Sequence, residues 1–194
     1  MKKNTWLKYF IGIAIVALAA FIIVMFVSKI INNVSDTSAQ LDKKVNDELK
    51  YLEVSIETLI NDFETLNLDT EIQALYTAWP TIALDLNALN VNSNNILTFN
   101  NTLDLLADSI QNNDKNNSLI NIANLYKLVS EYYNETSKDT EKNKIIEVKS
   151  NVISAYSLVS SEKWDFSKQF LGKAEETLLQ IVNSSREYKR NRTK

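Results

Sequence analysis

Turn-forming residues are almost missing from this chain. In 194 residues there are two glycines, Gly12 and Gly172, and one proline, Pro80. Sheets assembled from hairpins need tight turns at short intervals, and tight turns draw on Gly, Asn-Gly and Pro. Long helices with short polar connections need far fewer of them. The expected fold class is therefore all-α. Asn, Lys and Ile crowd the chain and Arg is scarce, which reads as the codon bias of an AT-rich bacterial genome rather than as chemistry.

Hydrophobic periodicity gives the same answer. Apolar residues recur at alternating steps of three and four, the spacing of one helix face. The first such stripe, over 36–66, holds Val45, Leu49, Leu52, Ile56, Leu59, Phe63 and Leu66. Ile72, Leu75, Tyr76, Trp79, Ala83, Leu86 and Leu89 mark a second helix over 69–89, and Thr70 with Gln73 fits a capping box. A third helix over 93–112 carries Ile96, Phe99, Leu103, Leu106 and Ile110, and a fourth over 116–133 carries Leu119, Ile122, Tyr126, Val129 and Tyr133. Ile145, Val148, Val152, Ala155 and Val159 define the core face expected of a fifth, over 139–160. A sixth, starting near Asp165, shows Phe170, Ala174, Leu178 and Ile181. Connections this short make neighbouring helices antiparallel, so an antiparallel multi-helix bundle is expected. Pro80 removes one backbone hydrogen bond and is expected to kink the second helix.

The segment from Phe10 to Val27 is uncharged, follows Lys2, Lys3 and Lys8, and precedes Lys29. With its flanks it is just long enough, at about 1.5 Å per residue, to cross a hydrocarbon layer of roughly 30 Å. Trp6 and Tyr9 suit the interface. Residues 1–33 are thus expected to be a short cytoplasmic N-terminus and a single transmembrane anchor, touching lipid through 6–31. The alternative is a cleaved signal ending at Thr37-Ser38-Ala39, although the apolar run is long for one. Lysine asymmetry places residues 34–185, the helical bundle, outside the cytoplasm. Fewer than about ten residues would then remain inside, too few for a signalling output module.

Formal charge is segregated. Net charge is −3, yet residues 1–29 carry +4 and the basic tail 186–194 another +4, which leaves −11 on the stretch between. A body so acidic repels phosphate backbones, and no nucleic-acid partner is expected. Arg186, Lys189, Arg190 and Arg192 are candidates for contact with an anionic surface, such as lipid headgroups or acidic wall polymers. Alternatively, they only complement the dipole of the last helix.

Catalytic chemistry finds little to stand on. The chain has no histidine and no cysteine, which removes the commonest general base, the commonest zinc ligand and thiolate chemistry. Asn112, Asp114, Asn116 and Ser118 alternate like the start of a calcium loop, but Asn117 stands where the loop needs glycine and Ala123 where it needs a bidentate acid. Glu53/Glu57 and Asp104/Asp108 are one turn apart, without the histidines of a di-metal bundle, and a solvated face accounts for Asp104 and Asp108. No enzyme activity, cofactor or metal is expected. Tyr76, Trp79, Tyr156 and Trp164 are the candidate ligand-binding residues, in a cleft that a kink at Pro80 would widen. Helical spacing alone also explains them as core.

Ala155, Trp164, Ser167, Leu171 and Ala174 occupy the small and large packing positions of a helical hairpin that resembles a tetratricopeptide unit. The resemblance spans a single unit, with Ser167 where the repeat has alanine and without its turn glycine or terminal proline. It implies a surface for a peptide or protein partner; a generic helix pair fits the same residues.

The expected function is a membrane-anchored extracytoplasmic interaction or scaffold protein with an envelope protein partner. The alternatives are a ligand-binding sensory module acting through a membrane partner, and an adapter facing the cytoplasm with reversed orientation.

Overall fold

The computed structural model describes residues 39–61, 63 and 68–192, with side chains through residue 184. The expected membrane segment lies outside these residues. Among the described ones no helix is long and apolar enough to cross a membrane. Asp42–Lys194 forms a compact unit of its own.

The described residues hold six helices and no strand: α1 over 39–61, α2 Leu68–Ala88, α3 Ser93–Gln111, α4 Lys115–Thr136, α5 Thr140–Ser160 and α6 Trp164–Arg192. Consecutive helices from α2 onward pack side by side. α1 closes against α2, α4 and α5 through Lys44–Asp85, Tyr126–Glu57 and Lys149–Glu53. The core lies between α1, α2, α3 and α4. Val45, Leu49, Leu52, Ile56 and Leu59 of α1 are buried in it, as the three-four spacing requires. α4 is the most enclosed helix, with eleven buried residues distributed around much of its circumference.

Three connections use one device to reverse the chain without glycine. Asn90, Asn113 and Glu162 each take positive φ, at 60°, 55° and 59°. In each case the next amide reaches back five residues, Val91 to Leu86, Asp114 to Ser109 and Lys163 to Leu158. These are Schellman closures, which satisfy carbonyls orphaned at the helix end. Asparagine tolerates left-handed backbone better than most residues. Asn92, Asp114 and Asp139 then cap α3, α4 and α5 by accepting from the amides of Asn94, Asn117 and Lys142. The calcium-loop pattern at 112–118 is thus a helix connection, with Asp114 as its cap. α2 already starts at Leu68 and runs unbroken through Pro80, so Thr70 lies inside the first turn.

In α5 the structure departs from the sequence expectation. Its buried residues are Asn143, Ile146, Ser150, Ser154, Ala155 and Ser157. Ile145 and Val152 of the expected core face are exposed instead, and Val148 and Val159 are half-buried. α6 likewise buries Ser167, Ala174 and Thr177 while Leu178 is exposed. Small side chains let two helices approach closely. The serines also bring their own satisfaction: Ser154 Oγ donates to the Ser150 carbonyl at 2.8 Å and Ser157 Oγ to the Ser154 carbonyl at 2.9 Å. Burial therefore leaves neither of these two hydroxyls unpaired.

Candidate functional site

Two arrangements stand out: a charged cluster around the buried Glu53 between α1, α4 and α5, and an open apolar surface on the α5–α6 hairpin.

Glu53 occupies a core position of α1, with 1% of its surface exposed. Lys149 Nζ from α5 donates to Glu53 Oε1 at 2.8 Å and to Glu57 Oε1 at 2.8 Å. Lys50 Nζ donates to Glu53 Oε2 at 3.0 Å, Tyr133 Oη to the same oxygen at 3.4 Å, and Tyr126 Oη to Glu57 Oε1 at 2.9 Å. Burial alone would raise the Glu53 carboxyl, but the hydrogen bonds from Lys149 and Lys50 outweigh it and hold the group below its ordinary value. For Lys149, burial works against the charge, and its bonds to Glu53 and Glu57 more than restore it. Both groups stay ionised and both are engaged. That leaves neither as a free base or nucleophile; the cluster fixes the register of three helices. Sequence reasoning passed over Lys149 and noted Glu53 only for its spacing from Glu57. The signal lay in the stripe itself, since Glu53 is four residues after Leu49 and three before Ile56.

Of the candidate ligand residues, Trp79 is 4% exposed and stacks on Phe99 of α3, with ring centroids 3.9 Å apart, and beside Tyr132 of α4 at 6.2 Å. Tyr76, a turn earlier, is half-buried and its hydroxyl donates to Asp104 Oδ1 at 2.7 Å. Burial, then that bond, pushes its phenol above the ordinary value. Tyr156 and Trp164 stand elsewhere, on the hairpin, 52% and 57% exposed. Trp79 thus belongs to an aromatic core layer, while the hairpin pair faces outward.

A polar cleft of about 750 Å³ lies at one end of the bundle, lined in part by Phe63, Ile72, Gln73, Ile110 and Gln111. None of the four candidate aromatics lines it. Among the described residues no group of three acidic side chains is placed to hold a metal ion.

The hairpin surface is different in kind. Ile145, Val152 and Tyr156 of α5 are exposed together with Trp164, Phe166, Leu171, Leu178, Leu179 and Val182 of α6. Trp164, Leu171, Leu178 and Val182 follow a seven-seven-four spacing, so they form one helical stripe. On α5, Ile145, Val152 and Tyr156 repeat the pattern. Single exposed leucines such as Leu84 on α2 are ordinary, whereas two apolar stripes on adjoining helices are not. Lining up large side chains outside and serines inside is costly unless the outer face is covered. At the positions that resemble a tetratricopeptide hairpin, Ala155, Ser167 and Ala174 are buried and Trp164 and Leu171 are exposed.

No protein-family model, curated protein or solved structure matches this chain.

Proposed function

We propose that this protein is a membrane-tethered helical interaction module without catalytic chemistry of its own. In this reading residues 6–31 hold it in the bilayer, the N-terminus is cytoplasmic, and the bundle presents the α5–α6 surface to an envelope protein partner outside the cell membrane. One observation carries the reading: among the described residues nine large apolar side chains of the hairpin are exposed, while the residues it buries are mostly serine, alanine and threonine. A partner helix laid along Leu171 and Leu178 would remove those side chains from water, at roughly 1.5–3 kcal/mol per fully buried residue.

The test uses the full chain in its own membrane. A photocrosslinker placed at Leu178 is expected to give a discrete protein adduct, and one at the exposed Lys127 of α4 none. Adding Leu171→Glu, with a crosslinker at Leu178, should abolish the adduct while helical content and thermal midpoint stay unchanged. An adduct that survives the glutamate, or equal labelling from both positions, sinks the interaction reading.

A further inference from the structure

The positive tail and the start of the bundle emerge at the same end of the molecule. Asn46 of α1 accepts from Lys142 of α5 at 2.8 Å, and Glu53 meets Lys149 a pair of turns later. α1 and α5 therefore run parallel. The connection 161–163 turns α6 back antiparallel to α5. The C-terminal end of α6 thus returns to the end at which the chain enters the bundle. The chain's path at that end is also marked by a cavity of about 470 Å³, where Asp42 and Asn46 of α1 meet Thr136, Ser137 and Asp139 of the α4–α5 connection.

α6 overshoots. It has 29 residues against 21 in α5, so it continues about eight residues, ~12 Å, past the start of α5. Arg186, Lys189, Arg190 and Arg192 fall in this overhang. Positions 186, 189 and 190 are related by steps of three and four, so they share one side of the helix. Lys43, Lys138 and Lys142 at this end are offset by Asp42, Asp139 and Glu141. Its excess positive charge therefore comes from the overhang, and the rest of the domain is strongly acidic.

We propose that the C-terminal end of α6 is a lipid-contacting surface, through which the bundle rests on the anionic headgroups of the membrane that holds residues 6–31; this rests on the anchored reading above. Three features on the molecule support that one occupant. The overhang is cationic, and it lies at the end of the bundle at which the chain leading from residues 6–31 enters. The acidic remainder is repelled by the same surface, which orients the bundle end-on. The overhang also has no helix of α5 alongside it, so its backbone reaches beyond the hairpin.

Full-length protein is reconstituted into vesicles of neutral phosphatidylcholine, or of the same lipid with a quarter phosphatidylglycerol, each with a headgroup-labelled quencher lipid. The absence of cysteine allows a single dye at Asn191→Cys, with Glu162→Cys at the opposite end of the hairpin as control. Quenching at position 191 is expected to be at least threefold stronger in the anionic vesicles. It should fall to the neutral level in 1 M salt, where the screening length is about 3 Å, and in the Arg186→Gln/Lys189→Gln/Arg190→Gln/Arg192→Gln variant. Equal quenching in neutral and anionic vesicles overturns the proposal, as does a charge-neutralised tail that quenches like the original. Release of the chain from the vesicles by alkaline carbonate overturns the anchored reading itself. Retention with charge-independent quenching overturns only the lipid contact.

Discussion

A carboxylate with 1% of its surface exposed survives in this core because four donors reach it or its neighbour: Lys149, Lys50, Tyr133 and Tyr126. Isolated, such a charge would be neutralised rather than buried. Since Glu53 titrates below its ordinary value when folded, its contribution is present above the unfolded carboxyl value of about 4.3 and is lost as pH falls through the folded one. Glu48 pulls the other way, because burial and its neighbour Asp85 raise it. Comparing variants isolates the Glu53 part. Glu53→Gln is expected to lose roughly 2–3 kcal/mol at pH 7, below the usual 3–5 for a broken buried pair because Lys149 is partly solvated. The gap between the two proteins should shrink towards pH 3, as urea titrations at the two pH values will show. A gap independent of pH means that shape, not charge, holds the site. None of this pairing was legible in the sequence, although Glu53's place on an apolar stripe was. The partner lies 96 residues away, and no local pattern points to it.

At the scale of elements, helix boundaries followed from local chemistry. α3 begins and α5 ends at the residues the periodicity picked, Ser93 and Ser160, and α2, α4 and α6 start within a residue of expectation. Asn and Asp at the connections do what their side chains and backbone preferences allow, which is capping and left-handed closure. The inward face of α5 did not follow. A stripe of Ile145, Val148, Val152, Ala155 and Val159 announces an apolar face but not its cover; of these only Ala155 is buried, and α5 turns Asn143, Ile146, Ser150, Ser154 and Ser157 inward, while Ala174 of α6 is buried at the α5–α6 seam. Ala174→Leu would wedge that seam. We expect about 1–3 kcal/mol of destabilisation with the helices pushed apart, read as a lower thermal midpoint and faster proteolysis near 161–163. An unchanged midpoint would mean that the seam is looser than its small residues imply.

Across the whole molecule, burial is graded. α4 has eleven buried residues and α6 only Ser167, Ala174 and Thr177 among its described side chains. Stability should be graded in the same order, because local opening is easiest where few apolar groups are buried. Amide exchange is expected to be slowest in α4 and in α1 from Leu49 to Leu59, and fastest in α6. Slow exchange in isolated protein along Leu171–Val182 would contradict the open hairpin. A partner bound there should slow exchange across that stretch first.

The sequence by itself determined that the bundle is helical, where α2 to α6 start, and that neighbours run antiparallel, because backbone preference, capping and periodicity act over a few residues. It also determined the segregation of charge, with a positive tail after an acidic body. Only the tertiary structure decided which face of α5 turns inward, that Lys149 neutralises Glu53, and that the tail returns to the end where the chain enters. Each of those depends on which helices meet and how closely, and that is settled by packing summed over the whole fold.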